Sequence, residues 1–210
     1  MSRSPSTLSK PLALFALPLV AVAVTACPEV TPDDGDNEGE VVTTVTLTFT
    51  PQGGGDALVF AFDDPENDGD PVIDDVVLSD ADDYDLAVRF ENKLADPAED
   101  ITAEVEDEGQ DHQVFFFGRG VSGPASDAAG ALVTHSYADT DDNDLPVGLE
   151  STIVTDATGS AELQVVLRHM PPENDVAVKT ADTAATFKDE GEAAIGGSSD
   201  AAVTFPLTVE

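Results

Sequence analysis

The chain predicts an all-β fold: an antiparallel β-sandwich, Ig-like or jelly-roll-like, with one short surface helix near 97–108. Three observations carry this. Apolar residues recur at every second position in many short stretches. Turn-forming clusters separate those stretches at regular intervals. About 170 residues beyond position 40, in a chain that is 41% hydrophobic, suffice for a two-layer core.

The strands follow in order. Val45, Leu47 and Phe49 alternate with threonines, which gives one buried and one wet face. Leu58/Phe60/Phe62 and Tyr84/Leu86/Val88/Phe90 repeat the pattern. So do Val133/His135/Tyr137, Leu149/Ser151/Ile153, Ala161/Leu163/Val165/Leu167 and, near the C-terminus, Val203/Phe205/Leu207/Val209. Val72–Leu78 and Val114–Phe117 are shorter apolar runs. The intervening turns are Gly53-Gly54-Gly55, Asn67-Asp68-Gly69, Gly118 to Gly123, Asp142-Asn143-Asp144 and Ala157-Thr158-Gly159. The helix rests on Asp96 as cap, Pro97 in the first turn and Glu99 three residues after the cap. Ile101 and Val105 form its apolar stripe, and Gly109 is its stop.

Before the sandwich the character of the chain is different. Arg3 and Lys10 precede an apolar run from Leu12 to Val24, which Pro18 interrupts and which is shorter than the ~20 residues of a spanning helix. Val24-Thr25-Ala26-Cys27 ends it. This arrangement resembles the signal and lipobox of a bacterial lipoprotein, which implies residues 1–26 as signal peptide and Cys27 as the lipidated residue. Cys27 is the only cysteine, so a mature chain has no thiol left for a disulfide or a nucleophile. Residues 27–40 read as the lipidated cysteine plus an acidic flexible tether. Pro28–Glu40 holds two prolines, two glycines and six acids, and its reach as a coil is on the order of 20 Å. Residues 41–210 then form a single sandwich domain. Pro28, rather than Asp, after the cysteine resembles the outer-membrane sorting pattern of enterobacterial lipoproteins. The acidic stretch resembles a surface-export signal or is a plain spacer, so the periplasmic and surface faces both stay open.

Removal of the signal leaves six basic residues against 43 acidic ones, a balance of −37. Phosphate would be repelled, which excludes nucleic acid as a partner. A surface adapted to high salt is one reading of this charge, and carboxylate clusters that bind divalent cations are the other.

Two loops fit the second reading, with calcium as the cofactor. In 139–150, Asp139, Asp141, Asn143 and Glu150 occupy the first, third, fifth and twelfth positions of a calcium loop, although Asp144 stands where an EF-hand needs Gly. In 63–70, Asp64, Glu66, Asp68 and Asp70 alternate, with Gly69 available for the bend. The histidines, His112, His135 and His169, are 23 and 34 residues apart, without the short pairings usual in zinc sites. His135 lies on the apolar face of its strand and reads as a core histidine. Catalytic residues are assigned to none of these positions: G-x-S-x-G and H-E-x-x-H do not occur.

VTLTFTPQGGG (45–55), PAEDITAEVEDEGQDHQVFFF (97–117), YADTDDNDLPVGLEST (137–152) and LRHMP (167–171), together with the lipobox, resemble a group of small uncharacterised lipoproteins of Bacteroidetes-like bacteria. The resemblance covers most of the mature chain and implies an envelope address without an activity. Members typically have Gly at the place of Asp144, which weakens the calcium reading here. Some bear the label of a type 1 periplasmic-binding fold, which needs two α/β lobes with repeated helices, whereas this chain offers one. The resulting expectation is a non-enzymatic, lipid-anchored binding or structural module of the cell envelope. It meets the membrane through Cys27 and takes an envelope protein or glycan as partner. The alternatives are a calcium-dependent adhesion module and a periplasmic solute-binding lipoprotein.

Overall fold

A computed structural model describes residues 40–210. The expected signal peptide (residues 1–26), Cys27 and the expected tether up to Gly39 lie outside the described residues. Two sheets face each other. The larger is built from β1 (Thr44–Pro51), β2 (Leu58–Asp63), β3 (Val72–Ile73), β5 (Tyr84–Asn92), β6 (Glu99–Asp100), β8 (Val121–Gly123), β9 (Ser126–Asp127), β10 (Val133–Tyr137) and β11 (Glu150–Thr155). Its order is β3-β2-β1-β5-β11-β10-β8-β9, with β6 hydrogen-bonded to β5. The smaller sheet runs β4 (Val76–Leu78), β13 (Ser198–Val209), β12 (Gly159–His169) and β7 (His112–Phe117). Most pairings are antiparallel, but β8 with β10 and β4 with β13 are parallel, so both sheets are mixed.

The alternation read from the sequence is the alternation of burial. Val45, Leu47 and Phe49 of β1 and Leu86, Val88 and Phe90 of β5 turn inward, against Leu163, Val165 and Leu167 of β12 and Val203, Phe205 and Leu207 of β13. Phe49 lies edge-on to Tyr84, with ring centroids 6.0 Å apart. Burying each such ring contributes about 2–3 kcal/mol. Residues 72–78 read as one run and are two strands. The backbone and carboxylate of Asp74 hold Ala61 of β2, at 2.9 Å for each bond, and the chain then crosses to the other sheet.

The helical expectation needs two corrections. The first concerns the start of α1, which spans Ile101–Asp107 with Asp100, not Asp96, as cap residue. Glu99 and Asp100 stay extended because they pair with Asn92 and Glu91 of β5, where Arg89 holds Asp100 at 2.6 Å. The Asp96–Pro97 bond is cis and precedes this pairing. Ile101 and Val105 do pack into the core. The second is a further helix, α2 (Thr183–Glu190), which covers the outer face of the smaller sheet. Phe187 stacks on Phe115 of β7 with centroids 4.6 Å apart. β7 is thereby buried on both faces, which explains why its sequence is a continuous apolar run rather than an alternating one.

Candidate functional site

The two acidic loops are closed by donors of the protein itself. The carboxylate of Asp139 accepts the backbone N–H groups of Gly148 and Leu149, each at 2.7 Å, and of Glu150 at 3.0 Å. Asp141 accepts N–H from Asn143 at 2.7 Å and from Leu145 at 3.0 Å. Its other oxygen meets the ammonium of Lys179 at 2.9 Å, with both side chains buried. Lys179 also donates to the carbonyl of Gly109 at 2.6 Å. Burial pushes the carboxyl of Asp141 up, but Lys179 and the two N–H donors outweigh it and hold the group below its usual range. The cation that faces this loop is therefore an ammonium belonging to the chain. Asn143 and Glu150 are exposed. Asp144 adopts the left-handed turn, with φ of 60°, that an EF-hand assigns to Gly.

In the other loop only Asp64 points inward. It accepts the N–H of Asp68 at 3.1 Å and of Gly69 at 2.9 Å. Glu66, Asp68 and Asp70 are exposed. No hydrogen bond or ion pair joins the two loops among the described residues.

The densest cluster of titratable groups lies elsewhere, at one end of the smaller sheet. His112 opens β7, His169 closes β12, and the two are direct partners in the antiparallel register. Their rings stack with centroids 4.6 Å apart and planes within 7°. Strand register thus joins two histidines that are 57 positions apart in the sequence. Asp200 reaches the same place through an irregularity in β13. Leu167 pairs with Ala201 and Arg168 with Ser199, so Asp200 is the extra residue of a bulge. Simple alternation would turn Asp200 outward with Ala202. The bulge turns it inward instead, and its side chain is 1% exposed.

The bulge is braced from behind. Arg168 donates to the carbonyls of Gly196 and Gly197, both at 2.7 Å, and to Ser199 Oγ at 3.0 Å. Gly197, at φ of 80°, passes so close to the carbonyl of His169 that no side chain fits there. The fourth member is Glu40, at the point where the described chain begins. Each of the four offers a ligand atom, and these atoms all lie within 4.8 Å of one another.

Several of these atoms are buried without a side-chain hydrogen bond: Nε2 of His112, Oε2 of Glu40 and both carboxylate oxygens of Asp200, which has the backbone N–H of Glu40 beside it. His112 Nε2 approaches Asp200 Oδ2 to 3.8 Å. On its far side, His112 donates Nδ1–H to the carbonyl of Glu108 at 3.2 Å. Burial lowers the pKa of His112 to about 4 and raises that of Asp200 to about 6. A shallow cleft lined by Val42, Phe62, Asp64, Asn67 and Val203 opens beside Asp200.

His135, by contrast, sits in the other sheet. Its Nε2 is 2.9 Å from Ser151 Oγ, and its ring packs on Phe116, as a core histidine does. Spacing along the sequence does not reveal the four-residue cluster, because its members come from distant segments. The usable signal was a polar residue at the end of each of two buried strands, His112 ahead of Val114–Phe117 and His169 after Val165–Leu167.

The chain matches no family model, and no match to a curated protein or a solved structure was found.

Proposed function

We propose that the protein is a non-enzymatic binding or structural module, displayed from the bacterial cell envelope on an acidic tether that a lipid on Cys27 fixes to the membrane. The observation that carries this reading is where the folded body begins. Thr43 already bonds to the large sheet, its N–H reaching Glu91 O at 3.0 Å and its carbonyl accepting from Asp64 N at 2.9 Å. The sandwich is thus engaged within a few residues of the end of the acidic run, which supports reading that run as a tether. Between the sheets, Phe49, Tyr84, Phe90, Phe116 and Phe205 fill the interior. That filling favours recognition on outer faces over a solute held between the sheets. The outer membrane, suggested by Pro28, belongs to the same proposal, as does an envelope protein or glycan as the partner.

The test is fractionation of cells that express the parent chain or Cys27→Ser. The parent sediments with membranes and leaves them only with detergent. Cys27→Ser is soluble and melts at the same temperature as the parent. A variant that stays on membranes would refute the anchor.

A further inference from the structure

We propose that His112, His169, Asp200 and Glu40 form a zinc-class metal site that ties the base of the tether to the smaller sheet. The donor set has the right chemistry: two imidazoles and two carboxylates. With neutral rings, the two carboxylates balance a divalent charge. Imidazole nitrogen favours zinc and its neighbours over calcium or magnesium, which take all-oxygen shells.

The spacing is also right. Bonds of ~2.0–2.1 Å in a tetrahedral site place the ligand atoms about 3.4 Å apart. The four atoms here lie within 4.8 Å of one another, with His112 Nε2 and Asp200 Oδ2 at 3.8 Å. Small side-chain rotations close the difference.

The orphaned atoms point the same way. A buried carboxylate such as Asp200, with no side-chain hydrogen bond and only the backbone N–H of Glu40 beside it, is costly unless a cation completes it. His112 is oriented for the task, because its Nδ1–H is held by Glu108 O and the Nε2 lone pair is left to face the cluster. The bulge at Asp200 and the brace from Arg168 make this a built site rather than a chance meeting of acids. The cleft beside Asp200 offers an entry path.

Four protein donors leave no open position, which is the pattern of a structural rather than a catalytic ion. Three of them stand on β7, β12 and β13, and the fourth precedes β1 of the opposite sheet. The ion would clip the two sheets together where the tether enters. The site stands independently of the lipid anchor.

The experiment uses the full, untagged chain, purified in detergent and stripped with a chelator. Zinc is titrated in competition with a chromophoric chelator. We expect one ion per chain, and a rise in Tm with zinc that equal calcium or magnesium does not reproduce. Cobalt in place of zinc gives the intense visible absorption of four-coordinate geometry. Asp200→Asn removes stoichiometric binding. Glu40→Gln, at the edge of the site, weakens it about tenfold or more. The exposed Glu66→Gln leaves it unchanged. Absence of zinc binding overturns the proposal. So does binding that Asp200→Asn and Glu40→Gln leave intact, which would place the ion on surface carboxylates. Should Asp200→Asn fail to fold, Glu40→Gln alone decides.

Discussion

A buried ammonium, Lys179, and a buried neutral imidazole, His135, set the energetics at the residue scale. Lys179 is 2% exposed and is the counter-ion of a buried carboxylate. Lys179→Met leaves Asp141 buried and uncompensated, and should cost about 3–5 kcal/mol by urea unfolding. Adding Asp141→Asn should recover part of the loss. His135 makes a pH prediction. Burial lowers its pKa to about 3 from the ordinary 6.5, so the unfolded chain takes up a proton first as the solution is acidified. The stability from neutral His135 is complete above pH 6.5 and is lost as pH falls toward 3. The slope it contributes is on the order of 1 kcal/mol per pH unit. His135→Gln should flatten the acid branch of stability against pH by that amount, measured by urea midpoints at a series of pH values. An unchanged slope would mean that His135 does not carry it.

At the scale of elements, most of the fold was legible and the reasons are plain. The strands β1, β5 and β13 are buried mainly on one face, and period two is the direct imprint of that. Elements without this imprint were lost. α2 reads TAATFKDE, with two threonines and a single large apolar residue, so neither propensity nor a stripe announces it. It exists because Phe115 and Phe117 need a cover, and Phe187 supplies it. Phe187→Ala should therefore cost about 3 kcal/mol and expose residues 171–197 to proteolysis while the sandwich core persists. Limited proteolysis followed by mass mapping checks this, and cleavage spread evenly over the strands would contradict it. The start of α1 was misplaced for a related reason. A good local cap at Asp96 lost to ladder hydrogen bonds between β5 and β6, which no local pattern reveals. The cluster at His112 was illegible because its four members come from distant segments and meet only through register and a bulge.

For the whole molecule, charge is the dominant feature. Five of the six basic residues in the described chain form ion pairs with carboxylates: Arg89, Lys93, Arg119, Arg168 and Lys179. The cations are thus committed locally, and a large excess of carboxylates is left to hold water on the surface. Such a surface repels itself and is relieved by salt of any kind, as in the high-salt reading of the composition. It also keeps the body away from anionic lipid, so the membrane address proposed above would come from a covalent anchor rather than from the sandwich surface. More than one acyl chain is needed for such an anchor to hold. The account of this protein as an envelope-tethered module therefore rests on the chemistry of one residue. Intact mass spectrometry of the chain extracted from bacterial membranes tests it most directly. The account predicts the mass of residues 27–210 plus a diacylglyceryl group and an amide-linked acyl chain, with the added mass localised to Cys27. A chain that retains residues 1–26, or one cut there with an unmodified Cys27, would contradict it.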